Sequence, residues 1–206
     1  MLKNPYPGKF IVFEGLDGSG QTTQSRLLKD YLLQRGYKVV LTKEPTKTSK
    51  VSSKIQKFLA QKEKTLSKKL QELFAKDRKE HLKKVIIPAL KKGKIVISDR
   101  YFFSSFAYGK ASGVAFKYLF QINKNFLMPD LTFILKVPPK ICLKRIIKRE
   151  KEITLFEKKE KLDKVWETYK IMPERFENVY IINGEKPKEE VFSQVKKIVL
   201  LNKINN

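Results

Sequence analysis

Gly15-Leu16-Asp17-Gly18-Ser19-Gly20-Gln21-Thr22-Thr23 sets three glycines and three hydroxyls in nine residues, directly after an apolar run. Glycines permit turns that aim backbone N–H groups inward, and a following helix N-terminus adds partial positive charge. The chemistry such a loop offers is the cradling of a phosphate. The spacing follows G-x-x-x-x-G-K-[ST], the P-loop pattern, with Gln21 at the lysine position. Thr22 stands where a hydroxyl helps to hold Mg²⁺. The bland alternative is a glycine-rich turn with no ligand.

Gln21 is the largest departure from that pattern. A lysine there would present a charge to the β- and γ-phosphates, on which phosphoryl transfer depends. Glutamine keeps a donor and loses the cation. A hydrogen bond to a charged group is worth roughly 1.5–3 kcal/mol, against about 1 kcal/mol for a neutral one. Slowed chemistry is therefore expected rather than none.

Two further groups carry chemistry. Ser98-Asp99-Arg100-Tyr101 closes another apolar run. Asp99 can support Mg²⁺ or its water shell and Arg100 a second phosphate; otherwise the pair is a structural ion pair at a strand end. Phe74 and Arg78 are spaced i, i+4 and project from one helix face. Phe74 also fits a core stripe with Leu66, Leu70 and Leu73. His81 has no nucleophile to serve and Trp166 fits packing, so neither receives a role. Cys142 is expected to be buried and inert.

Elements must bring these residues together. Five β-rich segments, 10–13, 38–42, 94–98, 131–137 and 179–183, alternate with helical patterns at 22–35, 66–90, 114–123, 138–149, 158–172 and 187–201. Three of the strands are almost wholly apolar, as strands covered on both faces must be. This alternation predicts an α/β fold with a parallel sheet and helices on both faces. Ligands in such folds bind beyond the carboxyl ends of the strands.

The 206 residues are read as one domain, 1–206, with 41% hydrophobic residues to supply a core. No apolar run approaches the roughly 18 residues of a membrane span, and the start of the chain has no secretory pattern. A single cysteine excludes an internal disulfide and fits a reducing cytosol. The formal net charge is +24, from 45 basic and 21 acidic residues. It is carried by lysines spread over every helix, which reads as a solvated coat rather than a specific nucleic-acid surface.

The motifs together resemble bacterial and archaeal thymidylate kinases. The resemblance is carried by Phe13-Glu14-Gly15-Leu16-Asp17-Gly18-Ser19-Gly20 with Thr22-Thr23-Gln24, then Glu44-Pro45-Thr46 and Leu73-Phe74-Ala75-x-Asp77-Arg78. Asp99-Arg100-Tyr101-x-x-Ser104-x-x-Ala107-Tyr108 and Pro138-Pro139 follow in order, so the likeness spans about residues 8–200. It implies a P-loop kinase fold with five parallel strands in the order 2-3-1-4-5, and transfer of the ATP γ-phosphate to dTMP with Mg²⁺. It further implies that Gly15, Leu16, Asp17, Gly18, Ser19, Gly20, Gln21, Thr22 and Thr23 cradle ATP. Arg145, with Arg149 and Lys151 of a lid at about 149–157, would close over it. Thr22 and Asp99 would serve the metal.

On the dTMP side, Phe74 would stack on thymine, Arg78 would bond the base, and Ser104 and Ser105 would line its pocket. Tyr108 would pack where a ribose 2′-OH would sit. Asp17 would face the 3′-OH and the acceptor phosphate, gripped by Arg100 and Lys43. Asp17, Arg100 and Arg149 are thus the expected catalytic residues, with lid cations partly replacing the missing lysine. A homodimer in the cytoplasm is implied as well.

Departures keep two alternatives open. Lys43 replaces a usual arginine, Lys136 stands where relatives often carry Asp, and Gly109 replaces a frequent glutamine, which loosens the assignment of the base. The alternatives are a kinase of another base preference, and a nucleotide- or nucleic-acid-binding relic. If the lysine coat is merely solvated, duplex DNA will bind weakly and lose affinity steeply as salt rises. Tight binding at physiological salt that ATP or dTMP displaces would contradict this; fluorescence anisotropy measures it.

Overall fold

The computed structural model describes residues 1–47, 49–60, 67–149 and 159–202, with the side chains of residues 60 and 149 outside the description. Five strands form one parallel sheet: β1 (Phe10–Gly15), β2 (Val39–Lys43), β3 (Ile95–Asp99), β4 (Leu131–Lys136) and β5 (Val179–Asn183). Their order is β2-β3-β1-β4-β5, the order implied by the resemblance. Most strand ends lie within a residue of their expected positions, and β1 runs two residues further, to Gly15.

Alternation along β1 divides the core between two faces. Phe10 and Val12 point to one side, among Tyr101, Phe102, Phe106 and Tyr169 from α5 (Phe102–Ala111) and α8 (Lys159–Lys170) and their approaches. Ile11 and Phe13 point to the other, against Leu28 and Leu32 of α1 (Gln21–Gln34) and Val191, Val195 and Val199 of α10 (Lys188–Leu201). β1 is therefore buried on both faces, which is why its sequence is continuously apolar until Glu14.

The helices depart from the expected pattern in three places. Between β2 and β3, α2 (Lys50–Ala60) precedes α3 (Ser67–His81). Its Val51, Ile55, Phe58 and Leu59 pack with Leu70 and Phe74, a helical spacing present in the sequence and absent from the expected elements. The single helix expected over 66–90 is α3, a π-helical turn at Leu82–Ile86, and α4 (Ile87–Lys91). Pro88, in the first turn of α4, lacks an N–H, and the wider turn before it absorbs the missing bond. α5 is absent from the expected elements because Phe102, Phe103, Phe106, Ala107 and Tyr108 are buried around its circumference, leaving no amphipathic stripe. Beyond these lie α6 (Phe116–Asn123), α7 (Pro139–Arg149) and the short α9 (Met172–Arg175). No described helix is long and apolar enough to cross a membrane.

A buried carboxyl group ties three of these elements together. Glu14, fully buried near the end of β1, accepts hydrogen bonds from the Tyr101 and Ser104 backbone N–H groups at 2.9 and 3.1 Å. It also accepts from Ser104 Oγ at 2.6 Å and from the Tyr169 hydroxyl at 2.9 Å. It thereby caps the start of α5 and anchors α8 to the sheet. Burial raises its pKa from 4.5 to about 6, against the opposing pull of Arg100 and these donors.

The folded chain thus keeps a proton on Glu14 at pH values where the unfolded chain has released it. This group's contribution to stability therefore falls as pH rises from about 4.5 to 6, and is level above that window. Glu14→Gln should remove that slope. Thermal melts of both proteins across this range measure it, and identical pH profiles would contradict it.

Candidate functional site

At the carboxyl edge of the sheet, β1 turns through the loop into α1. Gly15, Gly18 and Gly20 have φ of 147°, 82° and 104°, values that L side chains rarely adopt. At Gly18 a Cβ would also lie 2.7 Å from the Cys142 carbonyl oxygen, so α7 packs directly on the loop. Ser19 Oγ is buried with no partner among the described residues, an orphan beside the position an anion would take. Gln21 is buried, and its carboxamide Nε2 donates to the Gly15 carbonyl oxygen at 2.8 Å. The donor that glutamine retains is thus bonded to the loop itself.

Thr22 and Asp99, the residues expected to serve a metal, lie in contact. Thr22 Oγ1 donates to Asp99 Oδ2 at 2.5 Å. Lys43, paired in register with Asp99 across β2 and β3, donates from Nζ to the same oxygen at 2.9 Å. Among the described residues no group of three acidic, histidine or cysteine side chains could hold a metal alone. One hydroxyl and one carboxylate fit Mg²⁺, which takes few protein ligands and completes its shell with phosphate oxygens and water.

Asp17, Arg100 and Tyr108 form one cluster. Arg100 donates from Nη2 to Asp17 Oδ1 at 2.7 Å and from Nη1 to the Gly15 carbonyl and Ser104 Oγ at 3.1 and 2.9 Å. Its φ of 76° turns the chain there, held by its N–H on the Phe13 carbonyl at 2.9 Å. Burial alone would depress the guanidinium, but Asp17, Tyr108, Tyr169 and Glu14 hold its pKa well above the ordinary value. The Tyr108 hydroxyl donates to Asp17 Oδ2 at 2.9 Å and accepts from the Asp17 N–H at 3.0 Å. Burial, then the Asp17 carboxylate, push that phenol up, so it stays neutral. Tyr108 therefore also positions the P-loop carboxylate.

This cluster forms one end of a cavity of about 140 Å³, whose lining includes Phe74, Arg78, Pro45, Leu59, Ser104 and Ser105. Phe74 packs on the Val51, Ile55 and Leu70 cluster and also lines the cavity. Arg78 is only 2% exposed and already well bonded. Nε donates to Glu44 at 2.8 Å, and Nη1 to Asn123 at 2.5 Å and to Ser105 at 3.3 Å.

Glu44 also bonds His81 Nδ1 at 3.0 Å, and His81 Nε2 meets the Thr42 hydroxyl at 2.6 Å. His81 is thus a support of the Arg78 network, where the sequence reading gave it no role. Its signal was its position three residues after Arg78 on one helix face; Asn123 offered none. A Cβ at Gly109 would meet Leu119 Cδ2 at 2.7 Å and Gln71 Cδ at 3.1 Å, so those side chains fill the space where a larger residue would stand.

On the other side of the loop lies a second cavity of about 370 Å³. Residues 18–24, Arg145, Gly184, Lys186, Lys188 and Val191 line it. Arg145 donates from Nη1 to the Gly18 carbonyl at 3.3 Å. Gly184, Lys186 and Lys188 were missed, although the loop after β5 also lies at the carboxyl edge. The Arg149 side chain, Lys151 and most of the expected lid lie outside the described residues. Cys142 is buried, and burial lifts its thiol to about 12, as an inert core cysteine requires.

Comparison with known proteins agrees with this geometry. A sequence model of the family described as thymidylate kinase matches residues 13–195. A probable thymidylate kinase of Pyrococcus horikoshii is 41% identical over 198 residues, covering 93% of this chain and 96% of the relative. A thymidylate kinase of Caldicellulosiruptor saccharolyticus is 40% identical over 207 residues, with the same coverage of each. A probable thymidylate kinase of Archaeoglobus fulgidus is 37% identical over 191 residues, covering 92% and 93%. With its glycine loop, sheet order and paired cavities, this chain belongs to the thymidylate kinase family.

Proposed function

We propose that this chain transfers the γ-phosphate of ATP to dTMP, giving ADP and dTDP, from the two cavities that flank the P-loop. The observation that carries this reading is the Asp17–Arg100–Tyr108 cluster, which lines the Phe74–Arg78 cavity while bonded to the loop itself. A monophosphate seated on Arg100 would face the group held by the loop.

In this reading residues 15–23 hold the ATP phosphates with backbone N–H groups, and Arg145 covers them. Arg149 and the rest of the 149–157 lid would close above. Thr22 and Asp99 hold Mg²⁺, which when bound neutralises charge on the phosphate oxygens. Asp17 orients the sugar 3′-OH and the acceptor side, and Arg100 and Lys43 bind the acceptor phosphate. Phe74 stacks on thymine, Arg78 and Ser105 bond its edge, and Ser104 supports Arg100. Tyr108 closes the space beside C2′. A single catalytic unit over residues 1–206, a homodimer and a cytosolic location belong to the same proposal, on the resemblance alone.

Initial rates of ADP release with ATP, Mg²⁺ and each monophosphate in turn test the substrate, and dTMP should give the highest kcat/KM. Preference for another base would overturn it. Phe74→Ala should weaken dTMP binding by about 1–3 kcal/mol, the worth of one aromatic–base contact, and leave ATP binding nearly unchanged. Equal loss of both, in calorimetric titrations, would reduce Phe74 to core. Tyr108→Ala should narrow the gap between dTMP and its ribo analogue, whereas Tyr108→Phe, which keeps the ring, should preserve it. An unchanged kcat/KM ratio in the alanine variant would remove Tyr108 from sugar selection.

A further inference from the structure

Two observations bear on the cation that position 21 lacks. Gln21 donates to the Gly15 carbonyl oxygen, so its carboxamide serves the loop. Meanwhile Lys43 brings an ammonium to the start of α1 from β2, across the intervening β3. Its Nζ lies 2.9 Å from Asp99 Oδ2 and 3.5 Å from Thr22 Oγ1, the first hydroxyl of α1.

The placement of Lys43 is fixed by backbone and free in the side chain. Its Cα is in register with Asp99 on β3, and the next residue bonds back through the Glu44 N–H to the Asp99 carbonyl at 3.0 Å. The side chain is 51% exposed, so the ammonium can turn from the carboxylate toward a phosphate at small desolvation cost. Among the described residues, Lys186 and Lys188 line the P-loop cavity from beyond β5, and the two nearby arginines are otherwise placed. Arg100 is bonded to Asp17, Gly15 and Ser104, and Arg145 sits across the loop on the Gly18 carbonyl. A lysine suits this position as a compact charge on a flexible stem; the planar fork of arginine would not turn as readily within it.

We infer that Lys43 is the catalytic cation that replaces the P-loop lysine, serving the phosphoryl group in transit from β2 instead of from α1. The inference rests on the kinase reading above and goes beyond binding of the acceptor phosphate. In the step it serves, the bond from the γ-phosphorus to the β,γ-bridging oxygen breaks. A bond from that phosphorus to a dTMP phosphate oxygen forms, and the electron pair stays on ADP. Lys43 keeps its proton throughout and donates only hydrogen bonds.

The test is a cycle of four proteins: native, Gln21→Lys, Lys43→Gln and the double variant. Single-turnover rates are measured at saturating ATP, Mg²⁺ and dTMP, with Arg149→Ala made in the native and Gln21→Lys backgrounds. Losing one charge-assisted contact in the transition state corresponds to about ten- to hundredfold in rate. Lys43→Gln should therefore cost about that much in the native chain, and several-fold less in the Gln21→Lys background. Lys43→Arg, which keeps the charge, should retain more of the rate than Lys43→Gln.

A readout independent of turnover is the affinity of aluminium fluoride for the complex with ADP and dTMP, since it mimics the group in transit. Lys43→Gln should weaken it more in the native background than in the Gln21→Lys background. Equal losses in both backgrounds, by rate and by fluoride affinity, would leave Lys43 as an acceptor-phosphate ligand and overturn the inference alone. Background dependence at Arg149 in place of Lys43 would overturn it in favour of the lid. Absence of turnover in every protein, Gln21→Lys included, would overturn the kinase reading with it.

Discussion

The ion pair between Arg100 and Asp17, 2.7 Å long and with the Arg100 side chain only partly exposed, is the contact on which the geometry of the site depends. It joins the phosphate loop after β1 to the corner where β3 turns into α5, and Arg100 takes a positive φ to make it. Ser104 holds the same guanidinium, and Glu14 holds Ser104. Tyr108 holds the other Asp17 oxygen. A largely desolvated cation is tolerated only where carboxylates and hydrogen bonds surround it. The site solves this by shielding Arg100 with groups drawn from β1, the P-loop and α5.

A second constraint is the placement of anion-binding groups at strand ends. β2 and β3 end level at Lys43 and Asp99, and β1 runs two residues past Phe13, the partner of Asp99, into the P-loop, so the three strand ends converge on one edge. β2 stands two strands from β1, about 10 Å at the usual strand spacing, and the long Lys43 side chain spans the gap by way of Asp99 on β3. Gln21 closes the loop on itself through its bond to the Gly15 carbonyl.

The topology was legible because β1, β3 and β4 are continuous apolar runs, which only a doubly covered parallel sheet accommodates, and because turns and helices separate them cleanly. The P-loop, Asp99 and Arg100 were legible because glycines and scarce arginines mark them. What stayed hidden depends on contacts between distant segments. Glu14 reads as one motif letter until the Tyr169 hydroxyl arrives from α8. Asn123 has no local pattern to betray its bond to Arg78. α5 is buried on all sides, so its periodicity vanished, whereas α2 showed its stripe and was overlooked. The role of His81 follows from a bond to Glu44 across 37 residues of sequence.

The central claim is that a phosphoryl group passes from the P-loop cavity to a monophosphate held on Arg100. Phosphorus-31 NMR of the purified native chain with ATP, Mg²⁺ and dTMP follows that passage directly. The account predicts that the dTMP resonance declines as the two coupled resonances of dTDP grow, in step with ADP and with little inorganic phosphate. Release of inorganic phosphate with dTMP untouched, or an unchanged ATP spectrum over prolonged incubation, would contradict it.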